Sequence, residues 1–165
     1  MKDLIVARHA KSSWKFADIP DFDRPLNQRG NRDAPFMGKL LNKMNVKPEI
    51  IISSPANRAI STAQALAHEM NYPIDQIIAD KKIYEATEKD MLDAASKIDN
   101  KYNVALIVGH NPALTYFVEH LTGENIGNMP TGGVVYINLH IDNWNELTGG
   151  IGKIKFFEFP KKYFQ

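Results

Sequence analysis

An arginine followed by a histidine, Arg8-His9, stands directly after the unbroken apolar run of residues 4–7. Such a run is typical of a strand buried on both faces of a sheet. The pair then lies where the strand leaves the sheet, which is where open α/β sheets bind ligands. Arginine offers a planar fork of donors to oxygen atoms, and a neutral imidazole nitrogen can attack phosphorus. The pair therefore suits a phosphate group; the alternative is a strand followed by two surface residues.

Two further apolar runs end in polar residues of the same kind. Residues 50–53 lead to a segment that places Arg58 in the first turn of a helix, and residues 104–108 lead to His110. Because parallel strands bring their carboxyl ends to one edge of a sheet, we expect all three signals to meet there. Taken singly, Arg58 could be a surface charge and His110 could simply pack on the sheet. Their coincidence favours one site.

The chemistry of these residues is coherent for phosphoryl transfer, which is catalysed mainly by positioning and charge compensation. Arg8 and Arg58 are permanent cations, a protonated His110 is a third donor, and the helix N-terminus adds backbone N–H groups. His9 must be neutral to attack. We predict no metal site, because no carboxylate has metal-ligand spacing to either histidine and the arginines repel a cation.

Composition limits the class of protein. The 165 residues fit one domain, residues 1–165, and the net charge of +1 argues against a nucleic-acid partner. The chain has no cysteine, which excludes disulfides and thiolate chemistry. No apolar run approaches the roughly 18 residues of a membrane span, and the first residues have no signal-peptide pattern. We therefore expect a cytoplasmic protein without a membrane partner; its oligomeric state stays open.

Apolar spacing and capping residues predict the helices. The first covers residues 28–42, and Pro35 either kinks it or marks its first turn. The Ser-Pro pair at 54–55 and the Asn-Pro pair at 111–112 each fit an N-cap followed by the first helical position. Residues 87–90 resemble a capping box that opens another helix.

Strands and helices alternate over residues 1–120, which predicts an α/β sandwich. A short strand is expected at 76–79, and residues 131–141 and 153–159 are expected to form an antiparallel pair. The predicted fold is therefore a three-layer sandwich: a mostly parallel mixed sheet of about six strands, with helices on both faces.

Four segments together resemble the motifs of the histidine phosphatase superfamily. Residues 8–10 match its first motif, of Arg-His-Gly type, except that alanine stands third here. That alanine, the sequence Asp-Arg-Pro-Leu at 23–26 and the short chain resemble the phosphohistidine phosphatase (SixA) branch. Residues 53–63 are similar to the second motif of the superfamily and residues 109–112 to the third. The resemblance extends over nearly the whole chain.

This resemblance implies a phosphoglycerate mutase-like fold and a role for each matching residue. His9 would be the nucleophile, forming a phosphohistidine intermediate. Arg8, Arg58 and His110 would form the phosphate pocket, and Arg24 matches a further phosphate-facing arginine of the SixA branch.

Glu85 matches the acidic residue that protonates the leaving group in the wider superfamily; the alternative is a solvated loop carboxylate. No metal or other cofactor is implied. The implied substrate is a phosphohistidine on a phosphorylated protein. A small-molecule phosphomonoesterase of the same superfamily is the close alternative, and a non-catalytic phosphate-binding module is a third. His68, His120 and His140 are interpreted as structural residues.

Overall fold

The centre of the molecule is a six-stranded mixed sheet with the strand order β3-β2-β4-β1-β5-β6. The structure, a computed structural model, describes residues 1–164. The strands are β1 (Lys2–Arg8), β2 (Ile50–Ser53), β3 (Ile78–Ala79), β4 (Val104–Gly109), β5 (Val134–Leu139) and β6 (Gly152–Glu158). The helices are α1 (Gln28–Lys43), α2 (Asn57–Glu69), α3 (Glu88–Ser96) and α4 (Ala113–Thr122).

Both faces of the sheet are covered, as continuous apolar strands require. Side chains alternate along β1, so that Ile5 and Ala7 pack with α1 and α2 while Leu4 and Val6 pack with α3 and α4. The two clusters are the two halves of the core on either side of the sheet. This arrangement is the predicted three-layer sandwich, and the fold class is confirmed.

The parallel part of the sheet brings three strand ends to one edge. Strand β4 pairs in parallel with both β1 and β2, and the register sets Gly109 opposite Arg8 and Val108 opposite Ser53. Strand β5 pairs antiparallel with β1 and with β6, as predicted for the last two strands. The residues that follow β1, β2 and β4 therefore leave the sheet side by side.

Helix α1 begins at Gln28, seven residues before Pro35. The side chain of Asn27 caps the helix by accepting from Gly30 N at 2.8 Å. Pro35 lies well inside the helix, so the prediction that it marks the first turn is wrong. The buried face of the helix continues across the proline, with Ala34 before it and Met37 after it.

The two Pro-containing helix starts are displaced from the predicted positions. Helix α2 begins at Asn57 rather than Pro55, and α4 begins at Ala113 rather than Pro112. The predicted N-cap, Ser54, does not cap the helix; its hydroxyl contacts the ring of His110 instead. By contrast, the capping box at the start of α3 is confirmed.

The two outer strands of the sheet, β3 and β6, differ in length. Strand β3 at one edge has only two residues, whereas β6 at the other has seven and carries the exposed Lys153 and Lys155. Within residues 1–164, no helix has the length and apolarity needed to cross a bilayer.

Candidate active site

His9 follows β1 directly, and its backbone is fixed on both sides. Its N–H donates to Gly109 O at 3.1 Å, and its carbonyl accepts from Gly132 N at 2.9 Å. The ring Nδ1 lies 2.7 Å from the carbonyl oxygen of Ala10. Because a carbonyl oxygen can only accept, Nδ1 must carry the proton, and the lone pair of a neutral ring is then on Nε2.

The protonation state of His9 is set mainly by its burial, since the residue is only 7% exposed. Burial lowers the pKa of His9 to about 3, and the neighbouring His110, Arg58 and Arg8 act in the same direction against the Ala10 hydrogen bond. At neutral pH the ring is therefore uncharged, which is the form that can act as a nucleophile.

This lowered pKa makes the stability of the protein depend on pH. Unfolded, His9 titrates near its ordinary pKa of 6.5, whereas the native ring takes up a proton only near its pKa of about 3. Between these two pH values the unfolded state binds more protons than the native state. The contribution of His9 to the free energy of unfolding is therefore complete above about pH 6.5 and is lost as the pH falls. Its share of the slope is about 1.4 kcal/mol per pH unit.

Urea unfolding of the wild type and of His9→Asn between pH 7.5 and pH 4.5 measures this effect. The carboxylates contribute equally to both proteins, so the difference in slope isolates His9. Equal slopes would mean that the native ring titrates as it does in the unfolded chain.

His110 follows β4 and faces His9, with 5.2 Å between the ring centroids. Its Nε2 lies 2.7 Å from Ser54 Oγ, which also accepts from Ala56 N at 3.2 Å. We assign the hydroxyl proton of Ser54 to His110 Nε2, which leaves the proton of the neutral ring on Nδ1. Burial and Arg58 lower the pKa of His110 to about 4.

Arg8 and Arg58 each bring an unpartnered donor to the same edge. Arg8 Nη1 donates to Met129 O at 2.8 Å, and the terminal nitrogens of Arg58 donate to Asp21. Burial and the charge of Arg58 lower the pKa of the Arg8 guanidinium. Both arginines are close enough to His9 and His110 to lower their pKa values, so the four residues form one cluster.

Buried polar atoms without a partner concentrate in this cluster. In residues 1–164 four buried side-chain nitrogen or oxygen atoms lack a hydrogen bond, and three of them are Arg8 Nε, Arg58 Nε and His110 Nδ1. The fourth, Asp33 Oδ2, has Arg29 Nε at 3.5 Å. Buried donors are normally paired, so three unpaired donors beside the free Nε2 of His9 are suited to an oxyanion.

Arg24 joins the cluster indirectly. Its Nε donates to Asp21 Oδ1 at 3.1 Å, its Nη1 donates to Ser12 Oγ at 2.7 Å, and its guanidinium stacks 3.6 Å from the ring centroid of Trp14. The structure therefore brings Arg24 beside Arg58 through a shared carboxylate, while its own hydrogen bonds are made to the protein.

Glu85 is exposed and directly follows Tyr84 in the chain. Its backbone is in the left-handed region, with φ of 57°, which is uncommon for a residue other than glycine. The preceding residue, Tyr84, packs its ring against that of His110 with centroids 5.6 Å apart. Glu85 therefore lies on a loop that contacts the cluster through Tyr84, and strained backbone of this kind recurs at functional sites.

Sequence reasoning missed Asp21 and Tyr84 and gave Ser54 a different role. No spacing rule connects Asp21 to Arg58, which contact only after the loop folds; the one local signal is that Asp21 lies three residues before Arg24. His68, His120 and His140 lie at the opposite ends of α2, α4 and β5, away from this edge. In the part of the chain described, no three His, Cys, Asp or Glu side chains cluster as a metal site would require.

A family model and a curated relative both match this chain. The model of the histidine phosphatase superfamily (branch 1) matches residues 4–86, just over half of the chain. A Mycobacterium leprae protein of uncharacterized function is 29% identical over 93% of this chain and 99% of its own.

Two solved structures cover almost the whole fold. A protein assigned as the phosphohistidine phosphatase SixA of Agrobacterium tumefaciens is 26% identical, with a TM-score of 0.81 over 96% of this chain and 98% of its own. The protein histidine phosphatase SixA in complex with tungstate is 20% identical, with a TM-score of 0.82 over 97% and 98%. Members of the matched superfamily are phosphatases or mutases. The chain thus belongs to the histidine phosphatase superfamily, branch 1, and is of the SixA type.

Proposed function

We propose that this protein is a phosphatase that hydrolyses phosphohistidine on proteins through a covalent intermediate on His9, without a metal ion. The observation that carries the proposal is the set of three buried, unpartnered donors on Arg8, Arg58 and His110, beside an imidazole whose Nε2 is free. Unpaired donors that can bind phosphoryl oxygens, together with a neutral imidazole, support attack of His9 on a phosphoryl group.

In the first step the lone pair of His9 Nε2 forms a bond to phosphorus, and the bond from phosphorus to the leaving group breaks. The donors of Arg8, Arg58 and His110 bind the phosphoryl oxygens as their charge redistributes. The phosphorylated ring becomes cationic, and the Nδ1–H bond to Ala10 O supports that charge. In the second step the oxygen of a water molecule bonds to phosphorus as the bond from phosphorus to His9 Nε2 breaks. Inorganic phosphate leaves, His9 regains its neutral form, and a proton of the water restores Glu85 where it has protonated the leaving group.

Glu85 and Arg24 have subsidiary roles in this proposal. Glu85 protonates the leaving group, which matters most for an alkoxide. Arg24 adds positive charge beside Arg58. The imidazole of a phosphohistidine can arrive already protonated, so the proposed natural reaction depends less on Glu85 than the hydrolysis of an alkyl phosphate does.

The surroundings of the site and the relatives support a protein substrate. Trp14 and Phe16, on the loop that carries Arg24, are among the exposed large apolar residues, and exposed aromatic side chains are enriched at protein interfaces. The SixA of A. tumefaciens, 26% identical, is assigned as a phosphohistidine phosphatase. The proposal also includes a single domain, residues 1–165, in the cytoplasm.

A small-molecule phosphomonoesterase is the second candidate. An exposed carboxyl group on the loop that contacts the site through Tyr84, that of Glu85, suits a leaving group that needs a proton. A phosphate-binding module without activity would have no use for an imidazole that is held neutral with its Nε2 unpartnered. We therefore rank this third function below both enzymes.

Turnover in the presence of a chelator tests the metal-free mechanism. We expect unchanged hydrolysis of p-nitrophenyl phosphate and of a phosphohistidine protein in excess EDTA, since arginine side chains already compensate the charge of the phosphate. The control is the same assay with added Mg²⁺. Activity that disappears with EDTA and returns with the metal would contradict the mechanism.

Removing any of the three phosphate donors should weaken anion binding. Each of Arg8→Ala, Arg58→Ala and His110→Ala loses a charged or charge-assisted hydrogen bond, which is worth roughly 1.5–3 kcal/mol. We expect vanadate to bind about 10- to 150-fold more weakly in each variant, by calorimetry. Lys39→Ala, which removes an exposed cation on α1, controls for net charge. Unchanged affinity in Arg58→Ala would exclude it from the pocket.

A further inference from the structure

A single carboxylate, Asp21, joins Arg58 and Arg24 to the loop of Glu85. Asp21 Oδ1 accepts from Arg24 Nε at 3.1 Å, and Oδ2 accepts from Arg58 Nη2 at 3.0 Å and from the Tyr84 hydroxyl at 2.8 Å. Three donors from three separate segments thus converge on one side chain, which stands at the start of the 3₁₀ turn Asp21–Asp23.

The charges show why this contact matters. The side chains of Arg24 and Arg58 are only 9% and 8% exposed, whereas that of Asp21 is 49% exposed. Cations removed from water need a counter-ion, and Asp21 is the carboxylate bonded to both of them. Burial would raise the pKa of Asp21, but hydrogen bonds from Tyr84, Arg58 and Arg24 lower it to about 2. The group is therefore ionised at neutral pH.

The hydrogen bonds to Asp21 occupy the two terminal nitrogens of Arg58 and leave its Nε without a partner. The backbone carbonyl of Asp21 accepts from Arg58 Nη1 at 2.8 Å, and its carboxylate accepts from Nη2, so both terminal nitrogens are tied to one residue. The guanidinium is planar, so fixing two nitrogens fixes the direction of the third. That third nitrogen, Nε, is the buried donor without a protein partner.

The turn that carries Asp21 is itself anchored to the start of α2. Asn57 Nδ2 donates to Asp23 O at 3.1 Å, and the ring of Phe22 packs edge-on against that of Tyr84 with centroids 5.1 Å apart. Asp21 is therefore held in place by its neighbours and does not depend on the arginines alone for its position.

We propose that Asp21 is a positioning residue, which orients Arg58 and Arg24 for the phosphoryl group and, through Tyr84, holds the loop that carries Glu85. This inference rests on the proposed function for its catalytic consequence. Its binding consequence stands without turnover, because it concerns the affinity of the pocket for an anion.

The opposite role for Asp21 would be competition. A carboxylate bonded to two arginines could occupy the place of the substrate phosphate and be displaced by it. Neutralising the carboxylate would then tighten anion binding, whereas a positioning residue predicts weaker binding. The sign of the change therefore separates the two roles.

Asp21→Asn removes the charge and keeps the shape of the side chain. We expect inorganic phosphate to bind at least about tenfold more weakly to this variant, by calorimetry at a temperature at which the variant is fully folded. Asp21→Glu, which keeps the charge, should recover part of the loss. The matched control is Asp23→Asn, since Asp23 is an exposed carboxylate on the same turn and is not paired with either arginine. Unchanged or tighter binding in Asp21→Asn would overturn the proposal.

Tyr84→Phe tests the second part separately, because it removes one bond to Asp21 and leaves both arginine bonds. We expect kcat to fall for an alkyl phosphate, which needs Glu85, while the affinity for inorganic phosphate changes less than threefold. A kcat for the alkyl phosphate equal to that of the wild type would refute the link between Tyr84 and Glu85. If the wild type shows no turnover, the proposed function fails, and the phosphate affinities of the Asp21 variants still decide the positioning role.

Discussion

His9→Ala is expected to abolish the covalent intermediate and to reduce turnover by roughly 10⁴-fold or more, as removal of a catalytic nucleophile does elsewhere. The reason is that no other nucleophile stands with a free lone pair among the donors of Arg8, Arg58 and His110. Incubation with a radiolabelled phosphodonor, followed by an alkaline quench, should label the wild type with phosphate that is stable in alkali and labile in acid.

The control for this experiment is His68→Ala, because His68 lies at the end of α2 away from the site. That variant should keep both the label and the activity. A His9→Ala protein that turns over at the wild-type rate would remove the covalent mechanism altogether.

Glu85→Gln should separate substrates by the quality of their leaving groups. General acid catalysis contributes about 10²–10⁴-fold where the leaving group needs a proton. We expect a loss of this size in kcat/KM for an alkyl phosphate, little change for p-nitrophenyl phosphate, and a mild change for a phosphohistidine protein. The measurement is kcat/KM for the three substrates in both proteins.

The pattern across substrates decides between the roles of Glu85. Glu124→Gln, at an exposed position beyond α4, is the matched control and should leave all three values unchanged. An equal loss on every substrate would show that Glu85 positions the pocket and donates no proton. A wild-type preference for the alkyl phosphate over the phosphohistidine protein would favour the small-molecule phosphatase.

The strands that carry the site could be predicted closely because their signal is local. Residues 50–53 form β2 as predicted, and β4 extends the predicted run at 104–108 by Gly109 alone. An unbroken apolar run is buried only if helices cover both faces of its strand, which is typical of a parallel sheet. The run therefore predicts both the strand and the end of the sheet at which the following residues lie. The meeting of Arg8, Arg58 and His110 follows in turn from parallel pairing.

Contacts formed by the loops could not be predicted from the sequence. The hydroxyl of Ser54 has the right type and place for a helix cap, and its contact with His110 depends on the packing of β2 beside β4. Asp21 and Tyr84 are 63 residues apart and meet only in the folded chain. The roles of Glu85 and Arg24 stay predictions, because the structure gives their positions and not their chemistry.

The charged edge of the sheet has a consequence for self-association. Strand β6 presents a row of backbone groups that could pair with the edge strand of another molecule, which is how many proteins begin to aggregate. Its exposed Lys153 and Lys155 would be brought against the same lysines in an antiparallel copy, and like charges oppose such pairing. At the other edge β3 is too short to template a partner strand. Both outer strands of the sheet are thus unfavourable for edge-to-edge polymerisation.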